Sequence, residues 1–131
     1  MTISSVDVIF VISNIVTRYY QHLEVNNLAR EQFQTLSEPM YYILLSLIDK
    51  CCGVDIMKRA EELSQGRIAV GPGTLYTLLA RFQEAGIINE AEISGRKRTY
   101  IISDYGKELL KVEYNRLHLM LNDGEVIMGG L

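Results

Sequence analysis

The segment from Gly71 to Tyr100 constrains the fold of this chain more than any other part of the sequence. It opens with a glycine-rich turn that leads into an amphipathic helix, GPGTLYTLLARFQEAG. Two short apolar segments follow on either side of the basic turn SGRKR, and they predict a β-hairpin because the turn glycine permits a positive φ. A helix with an open N-terminus followed by a charged two-stranded ribbon is typical of a winged helix-turn-helix.

Capping and turn residues predict three helices in the middle of the chain, at about 38–50, 54–64 and 72–85. Ser37 is a suitable N-cap for the first helix, and Gly66 and Gly86 provide left-handed ends for the other two. Helical periodicity predicts which side chains of the other two helices face the core. They are Ile56, Ala60 and Leu63 in the second helix and Leu75, Leu78, Leu79 and Phe82 in the third.

The remaining elements are a small sheet and a last helix. The hairpin strands are expected at 87–93 and 98–102, and the short apolar stretch 67–70 is expected to pair with them. The last helix starts at Ser103 and is expected to end at 122–124, with a loosely ordered tail after it. Its apolar seam consists of Leu110, Tyr114, Leu117 and Leu121.

The first 35 residues are apolar on almost every side and rich in β-branched residues, so periodicity alone fits a helix or a strand. Their uninterrupted length exceeds that of a usual strand, which favours a helix. Such a helix needs cover on several sides, and the seam of the last helix is exposed as well. We therefore expect the two terminal segments to build a two-fold dimer interface.

The predicted fold is mainly α with a small β-hairpin wing. Residues 1–35 form an N-terminal helical extension, 36–103 a winged helix-turn-helix DNA-binding domain, and 104–131 a C-terminal helix and tail. Both terminal segments are interpreted as dimerisation helices. A chain of 131 residues is long enough for one such domain with accessory helices and too short for two independent domains.

The charge balance argues against a generally adhesive nucleic-acid binder, because the net charge is -3. Residues 50–100 nevertheless hold eight Lys and Arg against six Asp and Glu, so the middle of the chain is locally basic. The apolar start contains Asp7 and Asn14 and has no basic residue before Arg18, which fits neither a secretory peptide nor a spanning helix. A cytoplasmic protein without membrane contact is expected.

Cys51 and Cys52 are adjacent, a spacing that suits neither an unstrained disulfide nor a zinc site. They are interpreted as two reduced thiols, with a thiol sensor as the alternative. The chain has no phosphate loop, metal-ligand spacing or paired nucleophile and base, so no enzyme, metal or cofactor is predicted.

The candidate DNA contacts lie at the start of the third helix and at the hairpin tip. Gly73 and Thr74 allow the backbone to approach a duplex, and free N–H groups there bind phosphate. Tyr76 is a candidate for a phosphate contact, and Thr77 and Arg81 for base-edge or backbone contacts. The candidates at the hairpin tip are the cations Arg96, Lys97 and Arg98, whose long side chains are suited to follow a phosphate strand or to enter the minor groove.

Each candidate also has a purely structural interpretation. Tyr76 fits a core residue whose hydroxyl is hydrogen-bonded within the protein. Arg81 fits an ordinary solvated charge on a helix, and the basic tip fits a turn whose charges only keep it soluble. Tyr41 and Tyr42 suit core packing, with a ligand pocket between helices as the alternative. The clustering of three cations directly after a recognition-type helix favours function at the tip.

Residues 36–110 resemble the PadR-type transcriptional regulators. The motifs that carry the resemblance are EPMYYILLSL, GRIAVGPGTLY, the helix end EAGII and the wing sequence GRKRTY. The resemblance implies a homodimeric winged-helix repressor, often responsive to a small molecule, whose dimer contacts come from helices outside the winged helix. The chain departs from the family at Cys52, Gly53 and Val54, where His-Gly-Tyr is common, and at Thr77, where proline is common.

These observations predict a sequence-specific DNA-binding regulator, a homodimeric repressor that binds a palindromic operator in double-stranded DNA. A small-molecule effector bound between the terminal helices and the winged helix is expected to change operator affinity by changing the dimer arrangement. The alternative is a winged-helix protein interaction module that does not bind DNA, since the protein is acidic overall.

Overall fold

The computed structural model describes residues 4–33 and 35–131, and the chain divides into two compact units between residues 34 and 35. The described part of the first unit contains one long helix, α1, at Ser5–Gln32, as the sequence predicts. Ser4 precedes the helix, and its backbone oxygen accepts a hydrogen bond from the Asp7 amide at 3.1 Å. Residues 1–3 and 34 of the predicted extension lie outside the described residues.

Apolar side chains are exposed on every side of the first half of α1. Five consecutive positions, 8–12, are each more than 40% exposed, and Phe10 reaches 67%. Because consecutive helix positions point in directions about 100° apart, such a run covers the whole circumference. This unit therefore presents apolar surface that it does not bury itself.

The second unit contains four helices and a small antiparallel sheet. The helices are α2 (Glu38–Ser46), α3 (Gly53–Leu63), α4 (Pro72–Glu84) and α5 (Asp104–Met128). The strands are β1 (Cys51–Cys52), β2 (Ile88–Ser94) and β3 (Lys97–Ile102), in the order β1-β3-β2. The largest fully buried side chains of this unit come from α2, α3, α4 and the chain around β2: Ile43, Leu44, Leu47, Ile56, Leu75, Leu79, Phe82, Ile87 and Ile88.

Helix α2 is shorter than predicted. Its N-cap is Ser37, whose side chain accepts a hydrogen bond from the Met40 amide at 3.4 Å. The helix ends at Ser46 because the Leu47 carbonyl accepts a hydrogen bond from the Ile102 amide of β3 at 2.8 Å. The sheet thus takes a backbone acceptor that a longer helix would need.

The predicted strand at Arg67–Val70 is wrong, and β1 occupies that role instead. Cys51 pairs with Tyr100 and Cys52 with Thr99 in antiparallel register. The 67–70 stretch follows a tight turn in which Gln65 and Gly66 have φ values of 56° and 80°. Its amides bond locally, since Arg67 donates to the Ser64 carbonyl and Ile68 to the Ser64 hydroxyl.

Helices α3 and α4 follow the predicted pattern with one exception. The predicted inward residues of α4 are all buried, as are Ile56 and Ala60 of α3. Leu63 is 53% exposed, so its predicted inward position is wrong. It is the last residue of α3 and lines a shallow surface cleft with Leu45 and Ser46 instead of the core. Gly86 has a φ of 74° and ends α4 as predicted.

The hairpin wing is confirmed. Gly95 has a φ of 61° and occupies the tight turn between β2 and β3 with Arg96. The register shifts by one residue between Glu90, which pairs with Tyr100, and Glu92, which pairs with Thr99. A bulge of this kind increases the local twist and bends the wing.

Helix α5 extends beyond its predicted end. Ser103 caps its start by accepting from the Gly106 amide at 3.0 Å. The helix continues through the sequence NDG to Met128, so the predicted end at 122–124 and the loosely ordered tail are both wrong. A single glycine costs a helix about 1 kcal/mol and does not end it when helix-forming residues follow. Leu110 of the predicted seam is buried, whereas Tyr114 and Leu121 are more than half exposed.

In the described ranges, no helix combines the length and the apolarity that are needed to cross a membrane.

Candidate nucleic-acid interface

A cleft of 720 Å³ lies between the start of α3, helix α4 and the wing, and we call it the wing cleft. It is lined by Cys52, Gly53, Val54, Asp55, Tyr76, Arg96, Lys97, Arg98 and Tyr100. Four of the predicted DNA-contact residues, Tyr76 and the three wing cations, therefore border one concave surface. The wing contributes its positive charge from one side and α4 contributes Tyr76 from the other.

The start of α4 is open to an anionic partner. Its N-cap is Gly71, which has no side chain to cap the first N–H groups, and Pro72 occupies the first helical turn. Gly73 and Thr74 are exposed. An α-helix N-terminus carries a partial positive charge and projects its free N–H groups, so this end is suited to a phosphate.

Tyr76 is half exposed, and its ring lies against the start of α3. A Cβ atom added to Gly53 would stand 2.6 Å from the Tyr76 Oη atom and 3.0 Å from its Cζ atom. Only a glycine permits this approach. The phenol is therefore neither a core residue nor a freely rotating surface group, because it borders the wing cleft with its ring supported on one side.

Thr77 and Arg81 are less available than the sequence suggests. The Thr77 hydroxyl donates to the Gly73 carbonyl at 2.9 Å, which leaves its oxygen lone pairs and methyl group for a partner. Arg81 is half-buried and already interacts within the protein. Their role in DNA contact stays a prediction, because each side chain already interacts within the protein.

The wing cations are exposed but not equivalent. Arg96 occupies the turn and Lys97 opens β3. The Arg98 Nε atom lies 3.5 Å from the Glu90 Oε1 atom, which is too long for a good hydrogen bond, and that buried oxygen has no hydrogen-bond partner in the described residues. Glu90 therefore offsets part of the positive charge of Arg98 and leaves Arg96 and Lys97 as the stronger cationic positions.

The two free thiols lie next to this cleft in different environments. Cys52 is the N-cap of α3, and its Sγ atom lies 3.1 Å from the Asp55 Oδ2 atom, to which the thiol donates. Cys51 is 3% exposed, and burial raises the pKa of its thiol. Among residues 4–33 and 35–131, no group of three His, Cys, Asp or Glu side chains is arranged to hold a metal ion.

Tyr41 and Tyr42 pack against each other edge to face, with ring centroids 5.8 Å apart. The Tyr42 hydroxyl accepts from Arg67 at 2.9 Å, and the Arg67 guanidinium also pairs with Glu38 at 2.7 Å. Both tyrosines are half-buried, and burial raises the pKa of Tyr41. These contacts favour the packing interpretation over a ligand pocket.

Sequence reasoning missed the start of α3 as one wall of the site. Gly53 and Asp55 border the wing cleft, yet neither was a candidate. The available signal was the glycine after two apolar residues at a helix start, because a small residue there allows a side chain from another helix to approach. The identity of that side chain depends on tertiary packing.

A family model described as the transcriptional regulator PadR-like family matches residues 43–112. Among solved structures, a transcriptional regulator from Clostridium thermocellum is 20% identical with a TM-score of 0.58, covering 69% of this chain and 88% of that chain. A PadR family transcriptional regulator from Eggerthella lenta is 19% identical with a TM-score of 0.53, covering 88% and 90%. RosR from H. salinarum is 18% identical with a TM-score of 0.52, covering 70% and 78%. A comparison with curated proteins gave no match.

Proposed function

Because the chain belongs to the PadR-like family of transcriptional regulators, we propose that it is a homodimeric repressor that binds a palindromic operator through α4 and the wing. The family membership confirms the winged helix-turn-helix and the prediction that the chain is a DNA-binding regulator and not an enzyme. The observation that carries the proposal is the wing cleft, which is lined by three wing cations and by Tyr76 of α4. Tyr76 lies in the first turns of α4, close to the uncapped N-terminus of that helix.

We assign the contacts as follows from position and chemistry. The start of α4 enters the major groove, with the amides of Gly73 and Thr74 and the hydroxyl of Tyr76 on phosphate oxygens. The base-edge candidates are Thr77 and Arg81, which lie about one and two turns beyond Thr74. The wing side chains that follow the adjacent phosphates or the minor groove are Arg96, Lys97 and Arg98.

The homodimer is supported by apolar surface on α1 and α5. Positions 8–12 of α1 are exposed on all sides, and α5 exposes Tyr114, Leu117 and Leu121 on one seam. Burial of such surface at about 25 cal/mol per Å² favours a second copy of the chain. A two-fold dimer presents two recognition helices about 34–36 Å apart, the spacing of successive major grooves.

We further propose that a small-molecule effector controls a dimer of this kind. An effector that binds one dimer arrangement more tightly than another shifts the separation of the recognition helices and with it the operator affinity. A regulator acts where the DNA is, and the two free thiols suit a reducing compartment, so we assign its action to the cytoplasm.

The proposal is tested by salt-dependent DNA binding. A library of fragments from the host genome, selected on the purified chain, provides the operator. Replacing Arg96 and Lys97 by alanine is expected to weaken binding and to lower the slope of log affinity against log salt by about 2, because each phosphate contact contributes about 1. The control is Lys107→Ala with Lys111→Ala on α5, which removes the same charge away from the wing cleft.

Equal losses in the two double variants would mean that only net charge matters and would contradict the assigned interface. Recovery of no enriched fragment would favour the interaction module. Sedimentation at micromolar concentration tests the dimer separately. There, Leu117→Arg with Leu121→Arg is expected to give monomers, while Lys107→Ala leaves the dimer intact. A monomeric wild-type chain would contradict the dimer.

A further inference from the structure

Residues 65–74 connect the end of α3 to the exposed start of α4, and we call them the approach segment. None of them is buried, whereas Ser64 and Leu75 on either side are 2% and 0% exposed. Glycines at positions 66, 71 and 73 give the backbone of the segment additional freedom. Core packing therefore holds both ends of the approach segment and leaves its middle without a buried anchor.

Arg67 ties the approach segment to α2 through two side chains that are distant in sequence. Its Nη1 atom donates to the Glu38 Oε1 atom at 2.7 Å, and its Nη2 atom donates to the Tyr42 hydroxyl at 2.9 Å. Positions 38 and 42 are neighbours on one face of a helix, so the planar guanidinium binds both at once. The hydrogen bond to Glu38 raises the pKa of Arg67, in keeping with a charge-assisted pair.

The α2 side of this contact is held in place by packing. Tyr42 is half-buried, and its ring lies edge to face against Tyr41 with the centroids 5.8 Å apart. The next residues of α2, Ile43 and Leu44, are fully buried. Arg67 is therefore attached to a helix that belongs to the core, and it transfers the fixed position of α2 to a segment without a buried anchor.

We propose that Arg67 is a positioning residue for DNA recognition, which clamps the approach segment to α2 and so places the first amides of α4 for phosphate. The effect on DNA rests on the proposed function, whereas the clamp itself does not. The side chains of Arg67 and Glu38 are 59% and 56% exposed, so the pair contributes little to the stability of the whole protein. Its effect is local, because a segment that is ordered beforehand loses less conformational entropy when DNA binds.

A direct contact of Arg67 with a DNA phosphate is the competing explanation, and the two roles predict opposite effects of Glu38→Gln. For a direct contact, removal of the Glu38 carboxylate frees the guanidinium and strengthens DNA binding. For a clamp, the same change removes the partner of Arg67 and weakens DNA binding, although the protein loses a negative charge. Tyr42→Phe changes no charge, and it weakens DNA binding only if the clamp exists.

The test measures the affinity of the full chain for the selected operator by fluorescence anisotropy. We expect Glu38→Gln, Tyr42→Phe and Arg67→Lys each to lower the affinity about threefold to fivefold, since a lysine keeps the charge but lacks the fork that binds both acceptors. The matched control is Glu108→Gln on α5, which also removes one carboxylate and breaks one exposed ion pair, to Lys111. It is expected to leave the affinity unchanged or to raise it slightly. Thermal unfolding of each variant separates a loss of stability from a loss of affinity in the folded protein.

Hydrogen exchange of the free chain, followed by NMR, tests the clamp without DNA. The amides of Ile68 and Leu75 donate within the approach segment or at its ends, to the Ser64 hydroxyl at 2.9 Å and to the Gly71 carbonyl at 3.0 Å. Both are expected to exchange about threefold faster or more in Glu38→Gln, and at the wild-type rate in Glu108→Gln.

Higher affinity of Glu38→Gln, unchanged affinity of Tyr42→Phe, or wild-type exchange rates in Glu38→Gln would each overturn the inference. If the wild-type chain binds no DNA, the proposed function is wrong, and the exchange rates still decide whether Arg67 clamps the approach segment.

Discussion

Tyr76 of α4 and Gly53 of α3 are in contact across the wing cleft, and the contact depends on the missing Cβ atom of Gly53. A Cβ atom there would lie 2.6 Å from the Tyr76 Oη atom. The pair fixes the phenol of the recognition helix relative to the start of the preceding helix. A difference in size at position 53 is therefore transmitted to a side chain that we assign to phosphate contact.

Gly53→Ala is expected to displace Tyr76 and to lower DNA affinity. The free energy of unfolding is expected to fall by only about 1 kcal/mol, because the exposed phenol can turn away from the added methyl group. In a Tyr76→Ala background the same change is expected to stabilise the protein by up to about 0.5 kcal/mol, since alanine is the better helix residue and the gain at a first helical position is smaller than in a helix interior. Urea unfolding of the four proteins measures this reversal. A cost for Gly53→Ala that is the same in both backgrounds would show that Tyr76 is not the obstacle.

Glu90→Gln is expected to strengthen DNA binding, because it removes the carboxylate that offsets the charge of Arg98. The gain is expected to be a few-fold, in keeping with the small energies of exposed ion pairs, and to be larger at low salt. It should disappear in an Arg98→Ala background, which anisotropy titrations of the double variant measure. An equal gain in that background would mean that Glu90 acts directly on the DNA.

Two glycines are expected to respond to alanine in opposite directions. Gly86 has a φ of 74°, so Gly86→Ala forces a side chain into the left-handed region and lowers the free energy of unfolding by about 1 kcal/mol. Gly124 lies inside α5, and an added Cβ atom there meets nothing within 4 Å in the described residues. Gly124→Ala is therefore expected to stabilise the protein by up to about 1 kcal/mol. Thermal unfolding compares them, and destabilisation by Gly124→Ala would mean that a partner chain packs there.

The predictable parts of this fold are those in which local chemistry and burial agree. The apolar stripe of α4 and its end at Gly86 follow from helical spacing and from a glycine at positive φ. The wing follows from a glycine turn between two β-branched segments. In each case a pattern within one segment is sufficient to specify the element.

The parts that could not be predicted depend on a partner far away in sequence. Cys51 and Cys52 form a strand only because Tyr100 and Thr99 lie beside them. The α2 helix ends early because the Leu47 carbonyl bonds to Ile102. At the site, the cations of the wing were predictable from their position in the hairpin turn, whereas the wall at Gly53 was not, because its role is defined by Tyr76.

Alanine substitutions at Leu75 of α4 and Leu63 of α3 are expected to distinguish a core position from a surface position by their effect on stability. Leu75 is fully buried and Leu63 is 53% exposed. Leu75→Ala removes a packed side chain and is expected to lower the free energy of unfolding by about 2–5 kcal/mol, whereas Leu63→Ala is expected to cost under about 1 kcal/mol. Urea denaturation of both variants measures the difference. A large loss for Leu63→Ala would indicate that its surface cleft is filled in the assembled protein.

The Cys51 thiol is expected to make stability depend on alkaline pH. Burial raises its pKa above the ordinary value of 9.0, because the fold favours the neutral thiol. The folded chain therefore binds the proton more tightly than the unfolded chain, and the stabilisation is fully present below about pH 9. It is lost as the pH rises from 9.0 through the raised value, since the thiolate must then be buried.

We expect Cys51→Ala to lose less free energy of unfolding between pH 8 and pH 10.5 than the wild type, measured by urea denaturation under reducing conditions. Other alkaline groups titrate in both proteins and cancel in the comparison. Equal losses in the two proteins would mean that Cys51 ionises as readily in the fold as in the unfolded chain.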